Sequence, residues 1–236
     1  MHFHFFTLFP QIIAPYFSQS ILKLAKEKNL IRIQITNIRD FASPPHFKVD
    51  NAQVGGGAGQ IIDLEILQLA LNPIKNTHHI IFLTPCGKAF NQNDAVRLAK
   101  TKKNIALVCG RYEGFDERAI ELYANEVFSI GDFILTGGEL AALCLCDSIA
   151  RQIPQVLGNT KSLQGESFEQ HLLEAPVFSK SKIKSEKNAK KTPPSEYSKG
   201  NHSIMQDLKL DLALAKTKYF RPDLFQLWKF YKKGKR

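Results

Sequence analysis

The sequence predicts an α/β domain built on a mostly parallel sheet with helices on both faces, followed by a small all-α C-terminal domain. Three observations carry this. Short, almost continuously apolar runs recur through the first two thirds of the chain, stretches of helical spacing separate them, and after Gly158 both give way to lysine-rich sequence and then to helical spacing alone. Strands covered on both faces read as unbroken apolar runs, and strand alternating with helix is the signature of a parallel sheet.

The strands come in order as "FHFFTLF" from Phe3, "IRIQIT" from Ile31, "HIIFLT" from His79, "NIALVC" from Asn104 and "EVFSI" from Glu126, each of strand length. "SQSILKLAKEK", with Ile21, Leu22, Leu24 and Ala25, and "NDAVRLAKTKK", with Ala95, Val96, Leu98 and Ala99, have the spacing of amphipathic helices. A helix after the fourth strand is expected to start at Asp116 as N-cap, with Phe115 and Ile120 as a hydrophobic staple. After the fifth, Thr136-x-x-Glu139 reads as a capping box with Leu135 and Leu140 as its staple, so that Gly137 and Gly138 fall in the first helical turn. Two glycines there weaken a helix, so either something needs bare backbone or the turn from strand to helix is tight. Residues 1–158 are assigned to the α/β domain, 159–175 to a linker with a short helix at the Ser167-x-x-Gln170 box, and 176–236 to a basic helical domain. Within the last, Lys180 to Lys199 carries seven lysines and reads as mobile, and Pro222 starts a final helix. No repeats are present.

The charge is concentrated in the last third. Residues 1–158 hold 15 Lys/Arg and 14 Asp/Glu, net +1, and residues 159–236 hold 17 and 8, net +9, which together give the +10 of the chain. A neutral core carrying a basic extension suits a polyanionic partner; a solubilising tail is the alternative. Cys86, Cys109, Cys144 and Cys146 form no C-x-x-C pair, so they are expected to be buried thiols of a reducing compartment rather than metal ligands or disulfides. The N-terminal "MHFHFFTLFPQII" lacks a basic n-region and the length of a membrane span, so a cytoplasmic protein is expected.

Three strands end in glycine-bearing loops: "TPCGK" after Leu83, "GRYEG" after Cys109 and "IGDFILTGGEL" after Ser129. Ligands of open α/β sheets bind beyond the carboxyl ends of the strands, where these loops would converge. Gly110 would let backbone approach a ligand where a side chain would obstruct it. The dinucleotide fingerprint, the P-loop and the zinc-protease and serine-hydrolase motifs are absent, and His78-His79 reads as structural.

Taken in order, "LFP" at Leu8, "RDF" at Arg39, "GGGAG" at Gly55, "LVCGRYEGFDER" at Leu107, "SIGDFILTGGEL" at Ser129, "DSIARQIPQVLG" at Asp147, "ESF" at Glu166 and "GNH" at Gly200 resemble bacterial tRNA (guanine-N1)-methyltransferases, the TrmD family. The likeness is close to about Phe178 and looser beyond. It implies a SPOUT-type fold with a trefoil knot, a homodimer with active sites between subunits, S-adenosyl-L-methionine as methyl donor, and N1 of the guanosine just 3′ of the anticodon as acceptor. By motif, Gly110, Ser129, Ile130, Gly131, Asp132, Phe133, Ile134 and Leu135 correspond to cofactor-binding positions. Thr84, Pro85, Tyr112, Glu113, Gly137 and Gly138 match other positions of that pocket. Asp50, Gly56 and His202 are assigned to substrate binding. The C-terminal domain departs from the family too far for individual tRNA contacts to be carried over, and Lys180, Lys190 and Lys191, with the tail Lys229, Lys232, Lys233, Lys235 and Arg236, would neutralise tRNA phosphates.

Guanine N1 carries a proton and attacks poorly until it is removed, whereas the sulfonium methyl is already activated, so the chemistry needs a base and alignment. The family's base is an aspartate before Ser-Phe; Glu166 stands there, and its expected place at a helix start would favour the carboxylate. Arg151 matches an arginine that would steady charge developing on guanine O6, or it pairs with Asp147 one helical turn back. Other departures are "GGGAG" for "GGGPG", Ala141 for proline in "GGELP", and Lys199 for serine in "SGNH". No metal site is expected, and magnesium assistance is left open. Neither membrane nor DNA is an expected partner. A non-catalytic RNA-binding protein that keeps a cofactor-like fold is the alternative function.

Overall fold

Five strands lie side by side in one sheet, β1 (His2–Thr7), β2 (Arg32–Asn37), β5 (His79–Ala89), β6 (Asn104–Cys109) and β7 (Glu126–Ser129), in the order β2-β1-β6-β5-β7. Every pair is parallel. A separate antiparallel ribbon joins β3 (Asp50–Ala52) to β4 (Gln60–Ile62). The computed structural model describes residues 1–179, 193–198 and 201–233, and Lys180, Lys190, Lys191, Lys235 and Arg236 lie outside them. The chain divides into two compact units, Met1–Thr160 and Lys161–Arg236.

The period-2 alternation of side chains explains why the strands read as unbroken apolar runs. Phe3, Phe5, Ile81, Leu83, Ile105 and Leu107 belong to one buried cluster with residues of α1 (Pro10–Ile13), α2 (Ser20–Glu27), α4 (Gln92–Thr101) and α6 (Glu139–Ala150). Phe6, Ile80, Phe82, Ala106 and Val108 face the other way, into a cluster with α3 (Leu64–Leu71) and α5 (Glu117–Tyr123). The helices thus cover both faces of the sheet, as the sequence predicts.

β5 differs from its expected form. It runs past Leu83, and both Leu83 and Lys88 align with Phe128 of β7, so Thr84–Gly87 bulges out of the ladder. Gly87 lies against the Phe128 backbone, where an added Cβ would come within 2.6 Å of the carbonyl carbon. Lys88 then anchors the strand through both carboxylate oxygens of the buried Asp94, at 2.8 and 3.0 Å. Burial explains Cys109 and Cys146, whose thiols it pushes well above the ordinary pKa, but Cys86 and Cys144 are exposed, contrary to expectation.

In the second unit, α7 (His202–Phe220) is capped by Asn201, and Pro222 opens α8 (Pro222–Lys233). Thr217 links α7 to the segment before it, donating to the Ala213 carbonyl and accepting from the Leu173 amide. The helix expected at Ser167 is not formed. Phe168 and Gln170 have φ of 77° and 51°, and only a 3-10 turn, Glu169–His171, is present. The Ser167 hydroxyl accepts from the Glu174 amide instead of capping, and the Glu169 carboxylate takes the Gly165 amide. Local side-chain bonds to backbone have displaced the helix start, and the helix-dipole argument for an ionised Glu166 goes with it.

Candidate active site

The turns that follow β6 and β7 meet through backbone. The Gly138 amide donates to the Gly110 carbonyl at 2.9 Å. A Cβ on Gly138 would lie 2.8 Å from Gly110 N and 2.9 Å from Cys109 Cα, so no side chain fits between the two turns. The bare backbone anticipated at Gly137 and Gly138 is therefore needed first by the protein itself. Gly137 is equally confined, since its Cβ would lie 2.4 Å from Arg111 Nε and 2.6 Å from Glu139 Oε2.

The expected Thr136–Glu139 capping box is absent. α6 begins at Glu139 with Gly138 as N-cap and no side-chain cap, because the Glu139 carboxylate is engaged elsewhere. It accepts from Thr7 Oγ1 at 2.6 Å and from Arg111 Nε at 3.1 Å, and Arg111 Nη2 lies 2.9 Å from its other oxygen. Arg111 also donates to the Thr136 carbonyl at 3.1 Å and lies over the Phe9 ring, 4.5 Å from its centre. Glu139 and Thr7 are fully buried. One ion pair thus ties together the end of β1, the turn after β6 and the start of α6. Arg111, Glu139 and Thr7 were not among the site residues expected from the sequence. The signal was present, an arginine and a glutamate beside glycines at two strand ends, but Glu139 satisfied a capping pattern as well.

Asp116 does cap α5, accepting from the Arg118 amide, and pairs with the Arg118 guanidinium at 2.6 Å, which holds its carboxyl below the usual range. Of the charged residues after Gly110, then, Arg111 turns inward and Asp116 ends the turn. Tyr112 between them has φ of 58°, a left-handed conformation that costs a non-glycine residue about 1–2 kcal/mol and is held here by the surrounding turn.

Together the three strand ends enclose a cavity of about 240 Å³. Thr84, Pro85, Gly110, Tyr112, Glu113, Ser129, Ile130, Phe133, Ile134, Leu135, Gly137 and Gly138 all line it. Gly131 and Asp132 do not; the Gly131 amide and carbonyl are both bonded to the Ser129 hydroxyl, and Asp132 is exposed. Leu83, Phe115, Phe128 and Ala141 complete its apolar walls, beside the glycine-bearing turns. A flat ring with polar edges, such as adenine, fits walls of this kind. The β3–β4 ribbon adjoins the same turn, since the Glu113 amide donates to the Gln60 carbonyl and a Cβ on Gly59 would meet the Glu113 side chain. Asp50 lies in β3, half-buried, and Gly56 in the exposed turn after it.

Arg151 is half-buried at the C-cap of α6, its amide bonded to the Asp147 carbonyl. The Asp147 carboxylate accepts from Tyr16 Oη at 2.6 Å, and that bond pushes the Tyr16 hydroxyl up to about 12. Glu166 belongs to the second unit, where it lines a groove of about 540 Å³ with Gly165, Leu172, Leu173 and Lys209. His202 is exposed at the first turn of α7. Among the described residues, no group of three or more His, Cys, Asp or Glu side chains is placed to hold a metal ion, and no helix is long and apolar enough to cross a membrane.

Comparison with known proteins gives a consistent picture. The family model described as tRNA (Guanine-1)-methyltransferase TrmD matches residues 1–227. A tRNA (guanine-N(1)-)-methyltransferase of Helicobacter pylori is 58% identical over 226 residues, covering 96% of this chain and 98% of its own. One of Wolinella succinogenes is 53% identical over 238 residues, covering 100% and 99%, and one of Campylobacter jejuni is 54% identical over 228 residues, covering 95% and 97%.

Proposed function

The chain belongs to the TrmD family of tRNA (guanine-1)-methyltransferases, and from that premise we propose that it transfers a methyl group from S-adenosylmethionine to N1 of the guanosine immediately 3′ of the anticodon in tRNA. The observation that carries this reading is the cavity at the three strand ends, with apolar walls and a floor of bare backbone where Gly110 meets Gly138. The residues that would hold the adenosyl group are Leu83, Phe128 and Ile130 on the walls and the turns at Thr84–Pro85, Gly110–Glu113 and Ser129–Gly138.

S-Adenosylmethionine supplies a methyl carbon already activated by the sulfonium. The chain's own task is to prepare and aim the purine. Glu166 would accept the proton of guanine N1, which frees the nitrogen lone pair to attack the activated methyl carbon. Arg151 stabilises the negative charge that the deprotonated base carries on O6. An acid–base role of this kind is worth about 10²–10⁴ in rate. Exposed Phe133, Ile134 and Leu135 at the site support a second copy of the chain covering that rim, with the site completed between subunits. The lysines of the last third, Lys180, Lys190 and Lys191 among them, neutralise tRNA phosphates, and the compartment is the cytoplasm.

The test is nucleoside mass spectrometry of unmodified tRNA incubated with the purified chain and S-adenosylmethionine. The wild type yields 1-methylguanosine, and Glu166→Gln lowers kcat by at least 10²-fold while binding S-adenosylhomocysteine normally. No 1-methylguanosine from the wild type refutes the function; full activity in the variant refutes Glu166 as base and leaves the function standing.

A further inference from the structure

The parallel register sets the first residues of three strands side by side at the end of the sheet away from the pocket. His2 of β1 pairs with Arg32 of β2 on one side and with Asn104 of β6 on the other. The His2 amide donates to the Lys103 carbonyl and the Arg32 amide to the Met1 carbonyl, both at 2.8 Å. α4 ends at the same place, with Lys100 in its last turn and Lys102 as its C-cap. Arg32, Lys100, Lys102 and Lys103 therefore converge on one open hollow of about 470 Å³, and no Asp or Glu lines it.

This concentration of charge is not a consequence of the unit's composition, which is close to neutral over residues 1–158. Five other cations of the unit are paired: Lys23 with Glu27, Lys88 with Asp94, Arg97 with Asp94 and Glu126, Arg111 with Glu139, and Arg118 with Asp116. Among the described residues none of the four cations in the hollow is paired with a carboxylate. Lysines at the end of α4 offset the negative end of its dipole, which accounts for Lys100 and Lys102. It does not account for Arg32 or Lys103, which flank strands. His2, which lines the hollow, has its pKa lowered first by burial and then by the neighbouring His78 and Arg32, as expected where positive charge already accumulates.

We infer that this hollow is a second phosphate-binding surface, which takes backbone phosphates of the tRNA remote from the nucleotide being methylated. The inference rests on the function proposed above and adds a binding surface to it. β1 spans six residues, and at roughly 3.3 Å per residue the hollow is about 20 Å from the pocket end of the sheet, too far to serve the nucleotide in the pocket. Exposed side chains around an open hollow suit sequence-independent binding of a phosphate backbone rather than an enclosed ligand.

The experiment combines Arg32→Gln, Lys100→Gln, Lys102→Gln and Lys103→Gln and measures affinity for full-length tRNA and for the isolated anticodon stem-loop by fluorescence anisotropy from 50 to 200 mM salt. For full-length tRNA the slope of log affinity against log salt is expected to become shallower by about 3.6, at roughly 0.9 for each of the four phosphates no longer neutralised. The wild type then loses about 150-fold more affinity over that fourfold range than the variant does. Stem-loop affinity and S-adenosylhomocysteine affinity stay unchanged. If the fourfold variant does not fold, Arg32→Gln with Lys103→Gln carries the same test at half the slope change. An unmoved slope on full-length tRNA overturns the inference, as does an equal loss on the stem-loop. Inorganic phosphate binding that the variant lacks, with an unmoved tRNA slope, overturns it too and assigns the hollow to a small anion. Failure of the underlying function is seen separately, as a wild type that makes no 1-methylguanosine from the same tRNA.

Discussion

Replacing Gly138 by alanine adds one carbon at the tightest backbone crossing in the site. The new methyl would lie 2.8 Å from Gly110 N, 2.9 Å from Cys109 Cα and 3.2 Å from Cys109 C. All three are main-chain atoms at the buried end of β6, so no side chain can swing away to relieve the clash. Either the turn before α6 or the turn after β6 must move, and the bond from the Gly138 amide to the Gly110 carbonyl is stretched in both cases. Overpacking of this kind costs about 1–3 kcal/mol, which for a unit of this size lowers Tm by about 2–12 °C. Because both turns line the cavity, S-adenosylhomocysteine should bind at least tenfold more weakly by calorimetry. Gly158→Ala is the control: nothing lies within 4 Å of its Cβ, and both Tm and affinity should stay at wild-type values. A Gly138→Ala protein with wild-type Tm and affinity would refute the argument that these two turns are built around the missing side chain.

Two further outcomes follow from the buried charges and imidazoles. Glu139→Gln leaves Arg111 facing a neutral partner at a buried site; breaking one side of such a pair costs about 3–5 kcal/mol, so a Tm fall of about 6–20 °C is expected by calorimetry, and a fall under 2 °C contradicts the assigned role. Burial and the neighbouring histidines lower His4 to a pKa of about 4 from 6.5, with His4 4% exposed and bonded to Thr36 Oγ1. The unfolded chain therefore takes up this proton first as pH falls. Stability is flat above pH 6.5 for this group and declines from there to about pH 4, by about 3 kcal/mol in all. Urea denaturation at pH 7 and pH 5 should show His4→Gln losing less stability than wild type, and equal losses contradict it.

Much of the fold was legible because local and global preferences agree. The five apolar runs became the five strands; burial on both faces makes β1 and β6 conspicuous, whereas the edge strand β2 alternates between exposed and half-buried residues. The ribbon β3–β4 and the helix α3 were not anticipated: two three-residue strands give too short a pattern, and "LEILQLAL" is apolar on too many sides to show a stripe. The site was legible where backbone geometry requires glycine. It was misread at Thr136-x-x-Glu139 and Ser167-x-x-Gln170, where a four-residue pattern fits a helix cap but the side chains find better partners, Arg111 and Thr7 in one case and local backbone amides in the other. Short motifs report local options; long-range ion pairs and turn strain decide among them.

Amide hydrogen exchange with and without S-adenosylhomocysteine tests the central claim most directly. The account predicts that the ligand protects three separated segments together, Thr84–Pro85, Gly110–Glu113 and Ser129–Gly138, while the cationic hollow at Arg32 and Lys100–Lys103 exchanges as before. Protection confined to one of these segments, or found only outside them, contradicts a cofactor site built where the three strand ends meet.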